Sequence, residues 1–199
     1  MQEKKNLSDF LSKNPRFTLA EAQKRGFGRA SIAYYAKCGY ISRLARGVYC
    51  DAMATMGDRI EIETLAACGY EFTVALFSAL RIHGFTTANP TEVWIAIPTN
   101  SRKPGGVSFP VRTVWLGKNP YNHGSVTMQS GGVSYKVFSP AKTVADLFKF
   151  RNKYGLDVAI EALKEGWRKR MFTADELHLA AEACRVSQIM APYIEGIMS

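Results

Sequence analysis

The sequence predicts an α+β protein in two parts: an N-terminal helical segment closed by a short hairpin, then a longer α/β region. Three observations predict this layout. Helix and hairpin signals are concentrated in the first 50 residues, β-prone segments lie between residues 92 and 138, and helix-start signals dominate the remainder. A chain of 199 residues is long enough for one medium domain or two small ones.

The first segment begins with two helices. Apolar residues at a spacing of three to four predict a short helix over 7–12, which Asn14-Pro15 ends. Thr18-Leu-Ala-Glu21 is a capping box, in which each of the two end residues satisfies a backbone N–H of the other. The helix that it starts stops at Gly26.

A third helix and a hairpin complete this segment. The helix is predicted from about Arg29 to Cys38, with Gly39 as its C-terminal stop. The hairpin turns at Arg46-Gly47. Helix, helix, turn, helix and hairpin in this order are typical of a winged helix-turn-helix, which we assign to residues 1–52. The alternative is a small helical subdomain with a solvated basic face.

Charge favours the DNA-binding interpretation. Residues 1–50 hold ten Lys and Arg against three acids, a net +7 of the total +9, whereas residues 51–199 carry only +2. A basic excess in one small segment indicates a polyanionic partner. Phosphate contacts are predicted for Ser31, Lys37, Arg43 and Arg46, and base readout for Arg29 with Tyr34 beside it.

Residues 56–199 are predicted to form an α/β domain with a small, mostly antiparallel sheet and C-terminal helices. Helices are expected over 58–67 and 73–83, and strands over 92–98, 111–116, 125–128 and 133–138. Ser139-Pro140 predicts a helix start, and Thr173-Ala-Asp-Glu176 is a second capping box. Two basic patches are candidate contacts for a toxin or other partner: Arg102 with Lys103, and Arg168 with Lys169 and Arg170. Each is either a solvated face or a partner contact, and at least one is predicted to contact a partner.

Signals for chemistry are absent from the sequence. It has no nucleotide-binding glycine motif and no nucleophile elbow, and Gly131-Gly132 is interpreted as a hairpin turn. Asp51 and Asp58 are interpreted as solvated or capping carboxylates, and His83 as a helix C-terminal residue. The four scattered cysteines are expected to be small buried hydrophobes. We expect no catalytic residue, metal or cofactor.

The cellular location is predicted from the same composition. No apolar run reaches the length of a membrane span, and the polar N-terminus lacks the core of a signal peptide. We therefore expect a cytoplasmic protein that does not bind membranes.

Several stretches together resemble one bacterial family. They are Phe17-Thr-Leu-Ala-Glu-Ala22, Gly39-Tyr-Ile-Ser-Arg-Leu-Ala-Arg-Gly-Val-Tyr49, Ser78-Ala-Leu-Arg-Ile-His-Gly84, Val93-Trp-Ile-Ala-Ile-Pro98 and Phe138-Ser-Pro-Ala-Lys-Thr-Val-Ala-Asp-Leu147. In this order they resemble the AbiEi-type antitoxins of type IV toxin–antitoxin (abortive infection) systems, over nearly the whole chain. One departure is Cys50-Asp51-Ala52, where the family often has a proline after the wing.

The resemblance implies an antitoxin that is not an enzyme. Its winged helix would repress its own operon at inverted repeats in double-stranded DNA, and its C-terminal domain would counteract a nucleotidyltransferase-like toxin, directly or functionally. Two other classes stay open: a ligand-sensing winged-helix regulator, which an apolar pocket in the second domain would favour, and a DNA-targeted enzyme, which clustered acidic residues beside a lysine would favour.

Overall fold

The structure, a computed structural model, describes the backbone of residues 2–53, 59–85 and 90–198. Within these ranges the chain divides into two compact units. The first comprises residues 1–70, 104–110 and 129–134, and the second comprises residues 71–103, 111–128 and 135–199. The first unit therefore extends past residue 52 along the chain and includes two short segments from the later sequence. The functional division at residues 52 and 56 stays a prediction.

The first unit contains a three-stranded sheet and short helices. In chain order its elements are α1 (Gln2–Lys13), β1 (Arg16–Thr18), α2 (Leu19–Lys24), α3 (Arg29–Lys37), β2 (Ile41–Ala45), β3 (Val48–Asp51) and α4 (Ile60–Ala67). The strand order is β1-β3-β2, with both pairings antiparallel. Phe17, Ile32 and Ile41 are almost completely buried in the core of this unit.

The second unit is built on a five-stranded mixed sheet. Its strands are β4 (Thr73–Val74), β5 (Val93–Pro98), β6 (Val111–Leu116), β7 (Ser125–Ser130) and β8 (Val133–Phe138), in the order β6-β5-β4-β8-β7. β4 is antiparallel to β5, whereas the β4–β8 and β5–β6 pairs are parallel. The end of the β7–β8 hairpin, residues 129–134, belongs to the first unit.

Helices cover this sheet and form most of the larger core. They are α5 (Leu76–His83), α6 (Lys118–Asn122), α7 (Pro140–Lys149), α8 (Arg151–Tyr154), α9 (Leu156–Arg168), α10 (Ala174–Cys184) and α11 (Ser187–Met198). α7 is central: Val144, Ala145 and Phe148 are fully buried. The Ser139 hydroxyl caps α7, and a capping box at Thr173 and Glu176 starts α10. The predicted α+β fold class is thus confirmed.

Four details differ from the sequence-based predictions. The sheet of the second unit was expected to be mostly antiparallel, but its β4–β8 and β5–β6 pairs are parallel. The helix expected over 73–83 begins at Leu76, because Thr73 and Val74 pair with strands on both sides as β4. The turn expected over 117–124 contains the short helix α6. β1 was not predicted, since its three residues form a strand only by pairing with β3.

Candidate nucleic-acid interface

The helix predicted to read DNA, α3, is positioned by its own buried face. Ile32 and Tyr35 are buried in the core of the first unit, and the Tyr35 ring lies edge-on to Phe27 at 6.4 Å between centroids. Gly28 precedes the helix in an extended conformation, and Gly39 follows it at a positive φ of 75°. Because only the inner face is packed, the opposite face of α3 is open to solvent.

That open face carries the predicted base-reading and phosphate-binding side chains. Arg29, Tyr34 and Lys37 are exposed, Tyr34 by 60%. Arg29 and Lys37 are eight residues apart, a rise of about 12 Å along the helix. Ser31 is only half-buried to one side of this face. The helix therefore presents two cations and an aromatic hydroxyl over two turns, which suits a groove lined by phosphates.

The hairpin expected to form the wing is present as β2 and β3. It turns at Arg46-Gly47, where Gly47 has a φ of 78° that favours glycine. The register shifts between Arg43 and Ala45, and the Arg43 Nε donates to the Ala45 carbonyl at 3.2 Å. The Arg43 and Arg46 side chains are both exposed. The wing thus presents two guanidinium groups, one of them oriented by its own strand.

A segment from the later sequence packs on this wing. Val107 forms a bridge with Ala45, and Ser108 donates to the Leu44 carbonyl through both its N–H (2.9 Å) and its hydroxyl (3.0 Å). These bonds satisfy backbone groups on the outer side of β2. The sequence shows only a loop rich in Gly, Pro and Ser there, so no local signal predicts the contact.

One cation counted toward the basic excess is unavailable to DNA. Arg16 is 8% exposed, its guanidinium forms an ion pair with Glu63, and its Nη2 donates to the Gly131 carbonyl. The Ser130 hydroxyl also donates to Glu63. Counting Arg16 toward the polyanion-binding charge is therefore wrong, because an acid 47 positions later neutralises it inside the first unit.

The two predicted partner patches lie in the second unit. Arg102 and Lys103 are exposed in the loop after β5. Arg168, Lys169 and Arg170 are exposed at the C-terminal end of α9. The Lys169 Nζ, however, binds the Glu165 carboxylate at 2.7 Å and the Gly84 carbonyl at 2.6 Å. Lys169 therefore makes two polar contacts within its own unit, although its side chain is exposed.

A cavity of about 770 Å³ lies beside Arg168. Phe85 and Ile160 line it, and its other lining residues are charged: Asp157, Glu161, Lys164, Glu165 and Arg168. The ligand-sensing hypothesis predicts an apolar pocket in the second domain, whereas five of the seven residues that line this cavity carry charged groups.

The next residues are those interpreted from the sequence as capping, turn or helix-end residues. The Asp51 carboxylate accepts from the Met53 N–H at 2.9 Å, and Gly131 and Gly132 form the β7–β8 turn with positive φ. His83 ends α5, with its Nε2 2.7 Å from the Phe138 carbonyl oxygen. Asp58 lies outside the described residues. Within the described ranges, no three His, Cys, Asp or Glu side chains cluster closely enough to hold a metal ion.

The cysteines are reduced but not uniformly buried. Cys50 and Cys184 are buried, Cys68 is half-buried and Cys38 is exposed at the end of α3. The expectation of burial is therefore wrong for Cys38, which caps the C-terminus of the helix. Burial raises the pKa of the Cys184 thiol to about 12, and the neighbouring Asp146 carboxylate acts in the same direction.

Comparison with known proteins supports the fold. The chain matches no protein-family profile and no curated protein. Among solved structures, it is similar to the RV2827C protein from Mycobacterium tuberculosis, with a TM-score of 0.61, 13% identity, and coverage of 96% of this chain and 80% of that chain. At this identity the similarity shows a shared fold and nothing about shared function. Across the described residues, no helix combines the length and apolar character that crossing a bilayer requires.

Proposed function

We propose that the first unit binds double-stranded DNA through α3 and the β2–β3 wing. The observation that carries this proposal is the pair of solvent-exposed cationic elements, Arg29 and Lys37 on α3 and Arg43 and Arg46 on the wing, on a small unit with a helix-turn-helix order. In a winged helix, the third helix enters the major groove and the wing contacts the flanking backbone.

Salt dependence tests this proposal quantitatively. If the four cations each neutralise one phosphate, the logarithm of the association constant falls with the logarithm of salt concentration at a slope of about −3.6. Affinity then drops about 150-fold between 50 and 200 mM salt. The measurement is fluorescence anisotropy of the full-length chain with duplexes from the promoter of its own operon. A slope near zero contradicts the proposal.

Point variants separate the two predicted roles. Lys37→Ala and Arg46→Ala are expected to weaken binding to all duplexes alike and to reduce the slope by about 0.9 each. Arg29→Ala is expected also to relax preference at one base pair by about 1–3 kcal/mol. Lys164→Ala is the matched control, because it removes an exposed cation from the second unit. Equal losses for Arg29→Ala on specific and random duplexes would make Arg29 a phosphate contact.

Point variants of the full chain are preferable to truncation. A chain starting near residue 55 retains α4 and residues 104–110 and 129–134, which belong to the first unit, but lacks the rest of that unit. Loss of binding by such a fragment would not separate lost DNA contacts from misfolding.

The finer proposal is that this protein is the cytoplasmic antitoxin of a type IV toxin–antitoxin system, repressing its own operon. The second unit would counter a nucleotidyltransferase-like toxin encoded beside it. The support is the resemblance of the sequence to AbiEi-type antitoxins, together with two exposed basic patches in the second unit.

Coexpression with the neighbouring toxin tests this role. Growth is expected to be rescued by the full chain and by Arg29→Ala, since DNA contacts are not needed for neutralisation. Charge reversal at Arg102 with Lys103, or at Arg168, is expected to reduce rescue if that patch contacts the toxin or its substrate. Lys169 is left unchanged because its internal bonds would confound the result. Full rescue by both reversed variants contradicts the patch assignment.

A further inference from the structure

A second polar feature adjoins α3 in the first unit and is not part of the α3 face or the wing. It is a cleft of about 430 Å³ between α1 and the turn joining α2 to α3. Lys13, Asn14, Arg25 and Ser31 line its sides, together with Asp9. We call it the α1–α3 cleft.

The apolar part of the α1–α3 cleft lining is aromatic. Phe10, Phe27 and Tyr35 line it, with 5.2 Å between the ring centroids of Phe10 and Phe27. Phe10 and Tyr35 belong to the buried core of this unit. The cleft is therefore held by core packing.

Two cations at the cleft are available for an anion. Lys13 and Arg25 are exposed, and neither forms an ion pair with any carboxylate in the described part of the chain. Ser31 connects the cleft to the DNA-facing helix, because its half-buried side chain lies on α3 two residues after Arg29. Two cations with neutral hydroxyl and amide groups suit a phosphate oxygen.

We propose that the α1–α3 cleft seats a phosphodiester of the DNA backbone, with Lys13 and Arg25 as its cationic contacts. This inference rests on the proposed DNA binding and extends that surface from α3 to the C-terminal end of α1. Asp9 also lines the cleft, about one turn before Lys13 on α1, and its negative charge opposes binding of a phosphate. It makes the site weaker than its two cations alone would allow.

An alternative role for these cations must be separated from DNA contact. Lys13 lies in the last turn of α1 and Arg25 caps the end of α2, where a positive charge also stabilises a helix. Lys24 is the matched control: it lies in the last turn of α2, is exposed, and does not line the cleft. Lys24→Ala thus changes the net charge and helix-end electrostatics in the same way as Arg25→Ala.

The first measurement is affinity as a function of salt for the full-length variants on a duplex that the wild type binds. Lys13→Ala and Arg25→Ala are each expected to reduce the salt slope by about 0.9, an affinity loss of about eightfold at 0.1 M salt. Lys24→Ala is expected to have a clearly smaller effect. Asp9→Asn is expected to increase affinity severalfold, which a purely structural role of the cleft does not predict.

The second measurement is a cycle between protein and DNA. One phosphate at a time is replaced by a neutral methylphosphonate, and binding of the wild type is compared with that of Arg25→Ala. At one position, the methylphosphonate is expected to weaken binding of the wild type about eightfold at 0.1 M salt. At the same position it is expected to weaken binding of Arg25→Ala very little, because this variant already lacks the contact.

Three other results would each contradict either this inference or the proposed function. If Lys13→Ala and Arg25→Ala match Lys24→Ala at every salt concentration while the wild type binds DNA, this inference is wrong and the proposed function stands. If the wild type binds no duplex, the proposed function fails first. If inorganic phosphate stabilises the wild type but not Arg25→Ala against heat, and DNA affinity is unchanged, the cleft binds a free anion instead.

Discussion

The most sensitive point of the second unit is the buried ion pair on α7. The Lys142 Nζ lies 2.5 Å from the Asp146 Oδ2, and both side chains are almost completely buried. The Cys184 thiol donates to the other Asp146 oxygen at 3.3 Å, and the Lys142 ammonium lies 4.0 Å from the centre of the Phe138 ring. The perturbation is Lys142→Met, which keeps a long side chain and removes the charge.

The expected cost follows from the burial. At an effective dielectric constant of about 20, charges 2.5 Å apart attract by about 7 kcal/mol, which is offset by several kcal/mol of desolvation for each ion. The ion pair therefore contributes little net free energy to stability, but a single buried charge without its partner is strongly destabilising. Lys142→Met is expected to lower the free energy of unfolding by about 3–5 kcal/mol, whereas the double variant Lys142→Met, Asp146→Leu is expected to be close to wild type.

The chain contains a matched control with the same helical spacing. Glu165 and Lys169 are also four residues apart, at 2.7 Å, but their side chains are 21% and 41% exposed. Glu165→Gln is expected to cost only about 0.3–0.5 kcal/mol, because water screens the pair.

The assay is urea unfolding followed by tryptophan fluorescence. Trp94, Trp115 and Trp167 all lie in the second unit, so the signal reports on that unit. A cost for Lys142→Met as small as that of Glu165→Gln would refute the reasoning. A double variant clearly less stable than the wild type would show that the ion pair is a net source of stability.

Three further predictions follow from the structure. Between pH 9 and about 12, Cys184 ionises in the unfolded chain while its buried thiol in the folded protein stays protonated, so the free energy of unfolding should fall by up to about 1.4 kcal/mol per pH unit. Urea unfolding of Cys184→Ala should show a shallower pH dependence, and an identical dependence would contradict the burial effect. Gly131→Ala should lower the free energy of unfolding, measured by thermal unfolding, by about 3 kcal/mol or more, because a Cβ at its φ of 55° would overlap the Glu63 carboxylate. Gly132→Ala has open space around its Cβ and a φ of 73°, so it should lower that free energy by only about 1–2 kcal/mol. Iodoacetamide should label Cys38 in the folded protein and leave Cys184 unlabelled until urea unfolds it; peptide mass spectrometry that finds equal labelling would contradict their assigned exposures.

The sequence alone determined the features that depend on neighbouring residues. Both capping boxes, at Thr18 and Thr173, form as predicted, because an N-cap bond needs only residues three positions apart. The same holds for the turn at Arg46-Gly47 and for the outward and inward faces of α3, which follow from helical periodicity. The candidate DNA-facing side chains are therefore placed by local rules.

Only the tertiary structure decided features that depend on distant residues. Thr73 and Val74 form a strand because β5 and β8 supply pairing partners 21 to 63 positions away. Arg16 is buried in an ion pair with Glu63, so it does not contribute to the exposed basic surface. Lys142 and Asp146 read as the polar side of an amphipathic helix, yet both are buried, because each satisfies the other's charge and α10 supplies Cys184. The spacing of four residues shows that Lys142 and Asp146 can pair, but periodicity within α7 carries no information about Cys184 on α10 or about the packing that buries the pair.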